Sequence, residues 1–414
     1  MKILYSIALM VNISILHANT DNRALICVPV ADLYGSPLDT TFPALGKTIA
    51  ERYRTMPYCG ASEKGGLSCP RMHQLLFNEV VTIVTQDKEQ VCVTIPHLFY
   101  VTAANPQPQN TYWTLKTNIV RFCDIQSADP EKNIPPSIEF KKTSQPTPSK
   151  TVTLLQPWYE PVHYQIFSAG TRFTYNTSTE KHYSCLILNP KKQIFEVSLI
   201  PKSLCLVTEN KSPEDALKAF VATVRSWAHP SRGFIPYVWG GCSYCSVTST
   251  AQYDEIILKL SKDTTTSFYD RKGTHNSIKT GFDCAGLIAR AAQLCGIPYH
   301  YKNTLTLSLR LEPLTSKGQL QEGDLIWIPG HVMVISNIKK NLLIEARSYA
   351  HGYGIVHEVP LDRVFKGITS YDQLIDFFFK KKPLVRLDAF GKSAEAIAHY
   401  KILKMASVWK KQPD

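Results

Sequence analysis

The 414-residue chain is 44% hydrophobic and 19% charged, with a formal net charge of +12. That length implies several domains rather than one core, and the ordinary apolar content excludes a chain too polar to fold. Lys and Arg are scattered in short groups such as Lys191-Lys192 and Lys380 to Lys382, which serves solubility or attraction to an anionic polymer; no stripe of basic and aromatic residues points to nucleic acid.

The N-terminus reads MKILYSIALMVNISILHANT. A lysine followed by an apolar run from Ile3 to Leu16 predicts a secretory signal over residues 1–18, with Leu16-His17-Ala18 before the cleavage point. The run is too short for a membrane span, and no later stretch suits one. The mature chain is therefore expected to have no integral membrane span and to be secreted or periplasmic. All eleven cysteines lie beyond the signal. Disulfides are then chemically possible, and five pairs plus one leftover thiol, which could be Cys284, would fit; the pairing stays open.

Residues 22–124 read as all-β. NEVVTIVTQ, QVCVTIPHL and YWTLKTNIVRF are strand-like, with Pro and Gly between them, and suggest a small barrel. Residues 125–150 are polar and proline-rich and read as a linker. β-character returns over 151–207 as a second small β module. Ser212 and Pro213 then open a helix in SPEDALKAFVATVRSWA. Residues 242–279 form a polar insert. DCAGLIARAAQLCG predicts a helix packed on one face, and GDLIWI, HVMVIS and NLLIEARSY read as successive strands. The apolar spacing of Ile397, Leu403 and Val408 predicts a helical tail within residues 381–414.

The chemistry centres on TGFDCAGL, residues 280–287. A cysteine at a helix N-terminus sits where backbone N–H groups favour the thiolate. It needs a base, and His331 opens the strand HVMVIS. Glu345, on the next strand, would be an antiparallel neighbour able to orient that imidazole. His351 and His357 are rival third members. The pair in CSYC, residues 242–245, invites a redox or metal reading, but no second pair of matching spacing completes a zinc site. A local structural role is expected there.

The ordered run PYVWGG, GFDCAGLI, EGDLIWI, HVMVI and LIEA over about residues 212–365 resembles the NlpC/P60 family of secreted cysteine peptidases. The resemblance implies an α+β papain-like domain over 212–380 that uses no metal or organic cofactor. By the same resemblance Cys284 is the nucleophile and His331 the base. Tyr237 helps hold the oxyanion, and Asp283 contacts substrate or fixes the turn. Ala285 stands where the family usually has Ser, and Glu345 where it most often has His. MHQLLFNEVVTIV, YWTLKTNIV and FSAGTRF resemble bacterial SH3-like barrels, giving a multidomain chain of two such barrels before the peptidase domain. That arrangement resembles the subgroup that cleaves peptidoglycan stem peptides between D-γ-glutamate and a diamino acid. In that subgroup an acid after the catalytic helix binds a free amine, and Asn303 is the best-placed residue here. The alternatives are a wall-binding protein that has lost activity, or an amidase or acyltransferase on the same fold.

Overall fold

The computed structural model describes residues 22–38, 47–54, 69–95, 98–101, 107–136, 150–207, 211–229, 233–245, 279–298, 302–348 and 353–410. The signal, His351, Cys59 and most of the polar insert lie outside them. The described chain is mostly β-structure in several sheets.

The first unit holds β1 (Arg23–Ile26), β2 (Val30–Tyr34), the short helix α1 (Ile49–Arg54), β3 (Arg71–Leu76), β4 (Val80–Gln86), β5 (Gln90–Thr94), β6 (Thr111–Leu115) and β7 (Ile119–Arg121). These strands form one antiparallel sheet in the order β3-β2-β6-β5-β4-β1-β7. The second unit holds β8 (Thr151–Leu154), β9 (Trp158–Glu160), β10 (Gln165–Phe167), β11 (Arg172–Ser178), β12 (His182–Asn189), β13 (Ile194–Pro201) and β14 (Cys205–Val207). β9 and β10 pair as a hairpin, and the rest form a sheet in the order β13-β12-β11-β8-β14.

The described part of the segment between the units, residues 125–136, is not the free linker that its composition suggests. Ile125 and Ile134 are buried in one core with Phe77 of the first unit and Phe167 and Phe173 of the second. Arg172 also donates to the Pro136 carbonyl at 2.6 Å. Two apolar anchors in a polar stretch are enough to seat it, because each removes a large side chain from water.

The third unit holds α2 (Pro213–Ala228), α3 (Cys284–Leu294), α4 (Thr304–Arg310), β15 (Leu325–Ile328), β16 (His331–Asn337), β17 (Leu342–Arg347), β18 (Ile355–Pro360), α5 (Tyr371–Phe379), β19 (Leu384–Leu387), β20 (Ser393–Ile397) and β21 (Lys401–Leu403). Its sheet runs β18-β17-β16-β15-β21. The strands are apolar on both faces because both faces are covered. Val332, Val334, Ile344 and Ala346 pack in the core that contains α2 and α3. Met333, Ile335 and Leu343 pack in a second core with Leu374 of α5, Leu384 and Ile397.

The tail departs from its helical spacing. β19 and β20 form a hairpin, β21 joins β15 as the sheet's last strand, and only Met405–Trp409 coils, as a 3-10 turn. Pairing decides this: β15 would otherwise present an open edge, and Ile402 and Leu403 bury themselves in opposite cores only as a strand. The tail is therefore part of the third unit.

Candidate active site

Asp283 is the N-cap of α3, and its carboxylate accepts the Gly286 N–H. Asp283 itself donates its backbone N–H to the Gly241 carbonyl at 3.1 Å. Gly286 is required by this close approach, since a Cβ there would lie 1.9 Å from the Gly241 oxygen. The WGG and DCAG stretches are thus two halves of one interlocked turn. Tyr237 is held in the same turn, pairing with Phe282 and donating its N–H to the Gly354 carbonyl at 2.8 Å.

The first sheet reaches into this turn through one glutamine. Gln74 Oε1 accepts from the Cys242 N–H at 3.0 Å and the Ser243 hydroxyl at 2.7 Å. Its Nε2 donates to Asp32 at 2.8 Å and to the Lys279 carbonyl at 2.7 Å. Arg71 is buried in an ion pair with Asp32 at 2.8 Å and donates to the Trp239 carbonyl at 3.0 Å. The start of CSYC is therefore a scaffold contact. The ten described cysteines are free thiols, so the five-pair disulfide framework is not formed among them. No group of three His, Cys, Asp or Glu side chains suited to a metal occurs among the described residues.

Cys284 occupies the first turn of α3 and is 8% exposed. Burial pushes its thiol up to about 12, and the Asp283 carboxylate adds to the rise; hydrogen bonds from the backbone of Val332 and Ala285 and the charge of Lys302 pull the other way. The expected depression by the helix N-terminus does not prevail. A sulfur removed from water beside an anion loses more than the helix end returns. Lys302 Nζ lies 3.4 Å from Asp283.

The backbone of Val332, the residue after His331, hydrogen-bonds the Cys284 sulfur. Nε2 of His331 lies 2.7 Å from Oε2 of Glu345. A carboxylate only accepts, so Nε2 carries the hydrogen and Nδ1 is the basic nitrogen. Nδ1 has no hydrogen-bond partner among the described residues. Burial lowers the imidazole's affinity for a proton; Glu345 raises it, and Arg386 and Arg347 lower it again. Glu345 is fully enclosed. Burial alone would raise its carboxyl, but the Arg386 guanidinium and hydrogen bonds from His331 and His357 hold it well below the usual range. Both shifts favour the uncharged forms, thiol and imidazole, at neutral pH.

The structure joins Asp283 and Cys284 to Tyr237 through the Phe282 bridge, Cys284 to β16 through the Val332 backbone, and His331 to Glu345. His357 lies opposite Glu345 in the ladder and reaches its Oε1 at 3.2 Å, so it contacts the carboxylate rather than replacing it. Asn303 has another occupation. It caps α4 by accepting from the Thr306 N–H at 3.0 Å, and its Nδ2 donates to the Val101 carbonyl of the first unit at 2.6 Å. Two contributors escaped the sequence reading, Gln74 and Arg386. Arg386 had a signal: a lone charge at an inward position of the apolar strand LVRL.

No protein-family model matches the chain, and no curated protein matches its sequence. Among solved structures, an NlpC/P60 family protein from Bacillus cereus is similar over 82% of this chain and 94% of its own, with a TM-score of 0.50 and 16% identity. The chain has the NlpC/P60 fold. NlpC2 from Trichomonas vaginalis covers 83% of this chain and 93% of its own at 11% identity, with a TM-score of 0.30. The peptidoglycan hydrolase RipB from Mycobacterium tuberculosis covers 39% of this chain and 62% of its own at 19% identity, with a TM-score of 0.23. Among the described residues, no helix of this NlpC/P60-fold chain is long and apolar enough to cross a membrane.

Proposed function

We propose that this protein is a secreted or periplasmic, wall-associated cysteine peptidase that hydrolyses peptidoglycan stem peptides at the D-γ-glutamyl–diamino acid bond. The observations that support the reading are two: Cys284 hydrogen-bonds the backbone of Val332, which follows His331 in the chain, and Nε2 of His331 bonds Glu345. The fold shared with an NlpC/P60 protein supports it, as does the N-terminal apolar run.

In this reading attack and proton transfer are coupled, because the resting thiol is protonated. As the sulfur bonds to the amide carbonyl carbon, its proton passes to Nδ1 of His331. The growing imidazolium is stabilised by Glu345. The Tyr237 hydroxyl and the Cys284 backbone N–H stabilise the oxyanion. Collapse breaks the C–N bond, and His331 returns the proton to the leaving amine. Water, deprotonated by His331, then cleaves the thioester and restores the thiol. The two β-units act as SH3-like barrels in this reading. The first shapes the cleft through Gln74 and Arg71, and Asn303 sets the wall between them instead of binding a charged amine.

The test uses synthetic L-Ala-γ-D-Glu-diaminopimelate peptides with free and acylated N-termini, with products read by mass spectrometry beside Cys284→Ala. Cleavage after D-glutamate, lost in the variant, is expected for both substrates. No cleavage of either, with binding to wall sacculi retained, would overturn the reading in favour of an inactive wall-binding protein. Transfer or amide cleavage at another bond would assign the same site to an acyltransferase or amidase.

A further inference from the structure

We propose that Arg386, on the C-terminal hairpin, is a positioning residue of the site: it holds Glu345 as an anion and keeps His331 neutral and ready to act as a base. The inference rests on the proposed Cys284–His331 reading and extends it to a part of the chain that no motif marks.

The geometry is specific. His331, Met333 and Glu345 lie on the face of the sheet that α5 and the β19–β20 hairpin cover. Arg386 enters from that hairpin and is almost wholly enclosed. One guanidinium nitrogen pairs with Oε2 of Glu345, the same oxygen that accepts from His331. Another lies 2.9 Å from the Met333 sulfur, and the group sits over the Phe365 ring at 5.4 Å. A backbone bridge between Arg386 and Phe365 fixes the strand at this point.

The surrounding charges define the electrostatic problem. Facing Glu345 are His331 on β16, Arg347 on its own strand, His357 on β18 and Arg386 on β19; Arg347 Nη1 is 4.0 Å away. Tyr353 lies under the Arg347 guanidinium and against the His357 ring, and Arg347 also feels Asp388. One carboxylate therefore faces two arginines, so Glu345, Arg347 and Arg386 together carry one net positive charge. A buried carboxylate alone beside His331 would draw a proton onto one partner or the other. With His331 already an imidazolium, Nδ1 could not take the thiol proton. Arg386 removes that outcome, at the oxygen that His331 itself uses.

The experiment reads His331 directly, in the full chain carrying Cys284→Ala, by NMR titration of the imidazole. No substrate is needed, so a failure of the proposed reaction leaves this measurement standing. Arg386→Gln keeps a donor near Glu345 and loses the charge; Arg386→Lys keeps the charge. The expected result is that Arg386→Gln raises the His331 midpoint by about one pH unit or more and Arg386→Lys restores it towards the parent. His163 and His182, in the second unit, serve as references that should not move. An unchanged His331 midpoint in folded Arg386→Gln would overturn the proposal. So would unfolding of both variants, which would assign Arg386 to stability alone. In the Cys284 enzyme, Arg386→Gln should lower kcat with KM nearly constant and move the acid limb of the pH profile upward.

Discussion

His163 and His331 each sit on a buried carboxylate, and they have opposite wiring. In the second unit, His163 bonds through Nδ1 to Glu160 at 2.9 Å and through Nε2 to Glu196 at 2.7 Å. Both ring nitrogens are taken, and the ring ties the β9–β10 hairpin to β13. Ser198 and Lys192 complete the two carboxylates, at 3.0 and 2.9 Å. In the third unit His331 spends one nitrogen on one carboxylate, and that carboxylate is shared with arginines. A clamp needs every polar group satisfied. A base needs one nitrogen left over and a charge balance that leaves it unprotonated.

The largest effect that could break this contrast is on turnover. His331→Ala should lower kcat/KM by about 10³-fold or more, whereas His163→Ala should leave it within about twofold. Equal losses in steady-state assays of the two variants would remove the distinction between base and clamp.

The pH profile sharpens the same point. His331 is held below its ordinary value of 6.5, so the neutral base persists as pH falls past that value. The acid limb of kcat/KM should lie below 6.5, with about a tenfold loss per unit beyond its midpoint. Cys284, at about 12, should give no second limb in the neutral range, and alkylation by iodoacetamide at neutral pH should be slow. A limb near the ordinary thiol value would instead indicate a resting thiolate. His163→Gln should leave the acid limb in place. The sign for stability is the same: a depressed imidazole contributes stability above 6.5 that is lost as pH falls through its folded value.

The smallest effect concerns the clamp. His163→Ala leaves the enclosed Glu160 without its ring partner and should cost about 1–3 kcal/mol in urea unfolding. A change near zero would mean that backbone donors, such as the His163 N–H at 2.6 Å, suffice to satisfy that carboxylate.

Much of the site could be read in one dimension because its parts are local or periodic. Asp283 before an apolar helix is a capping pattern, and its cap depends on residues three positions apart. Glu345 could be placed near His331 because a short turn makes consecutive strands neighbours; in the ladder it lies diagonal to His331, within reach of a long side chain. Spacing fails at the tail for the complementary reason. Ile397, Leu403 and Val408 have helical spacing, but the open edge of β15 lies far away in sequence, and spacing carries no information about it.

What the sequence determined by itself was the identity and order of the candidate groups: a capped helix start bearing Cys284, a strand opening on His331 and a neighbouring Glu345. Tertiary structure decided their electrical state. Burial and Asp283 keep the thiol protonated, Arg386 from a hairpin forty-one residues past Glu345 keeps the carboxylate ionised, and Gln74 from a different unit holds the turn. These effects depend on distance through space and on the exclusion of water, neither of which is set by distance along the chain.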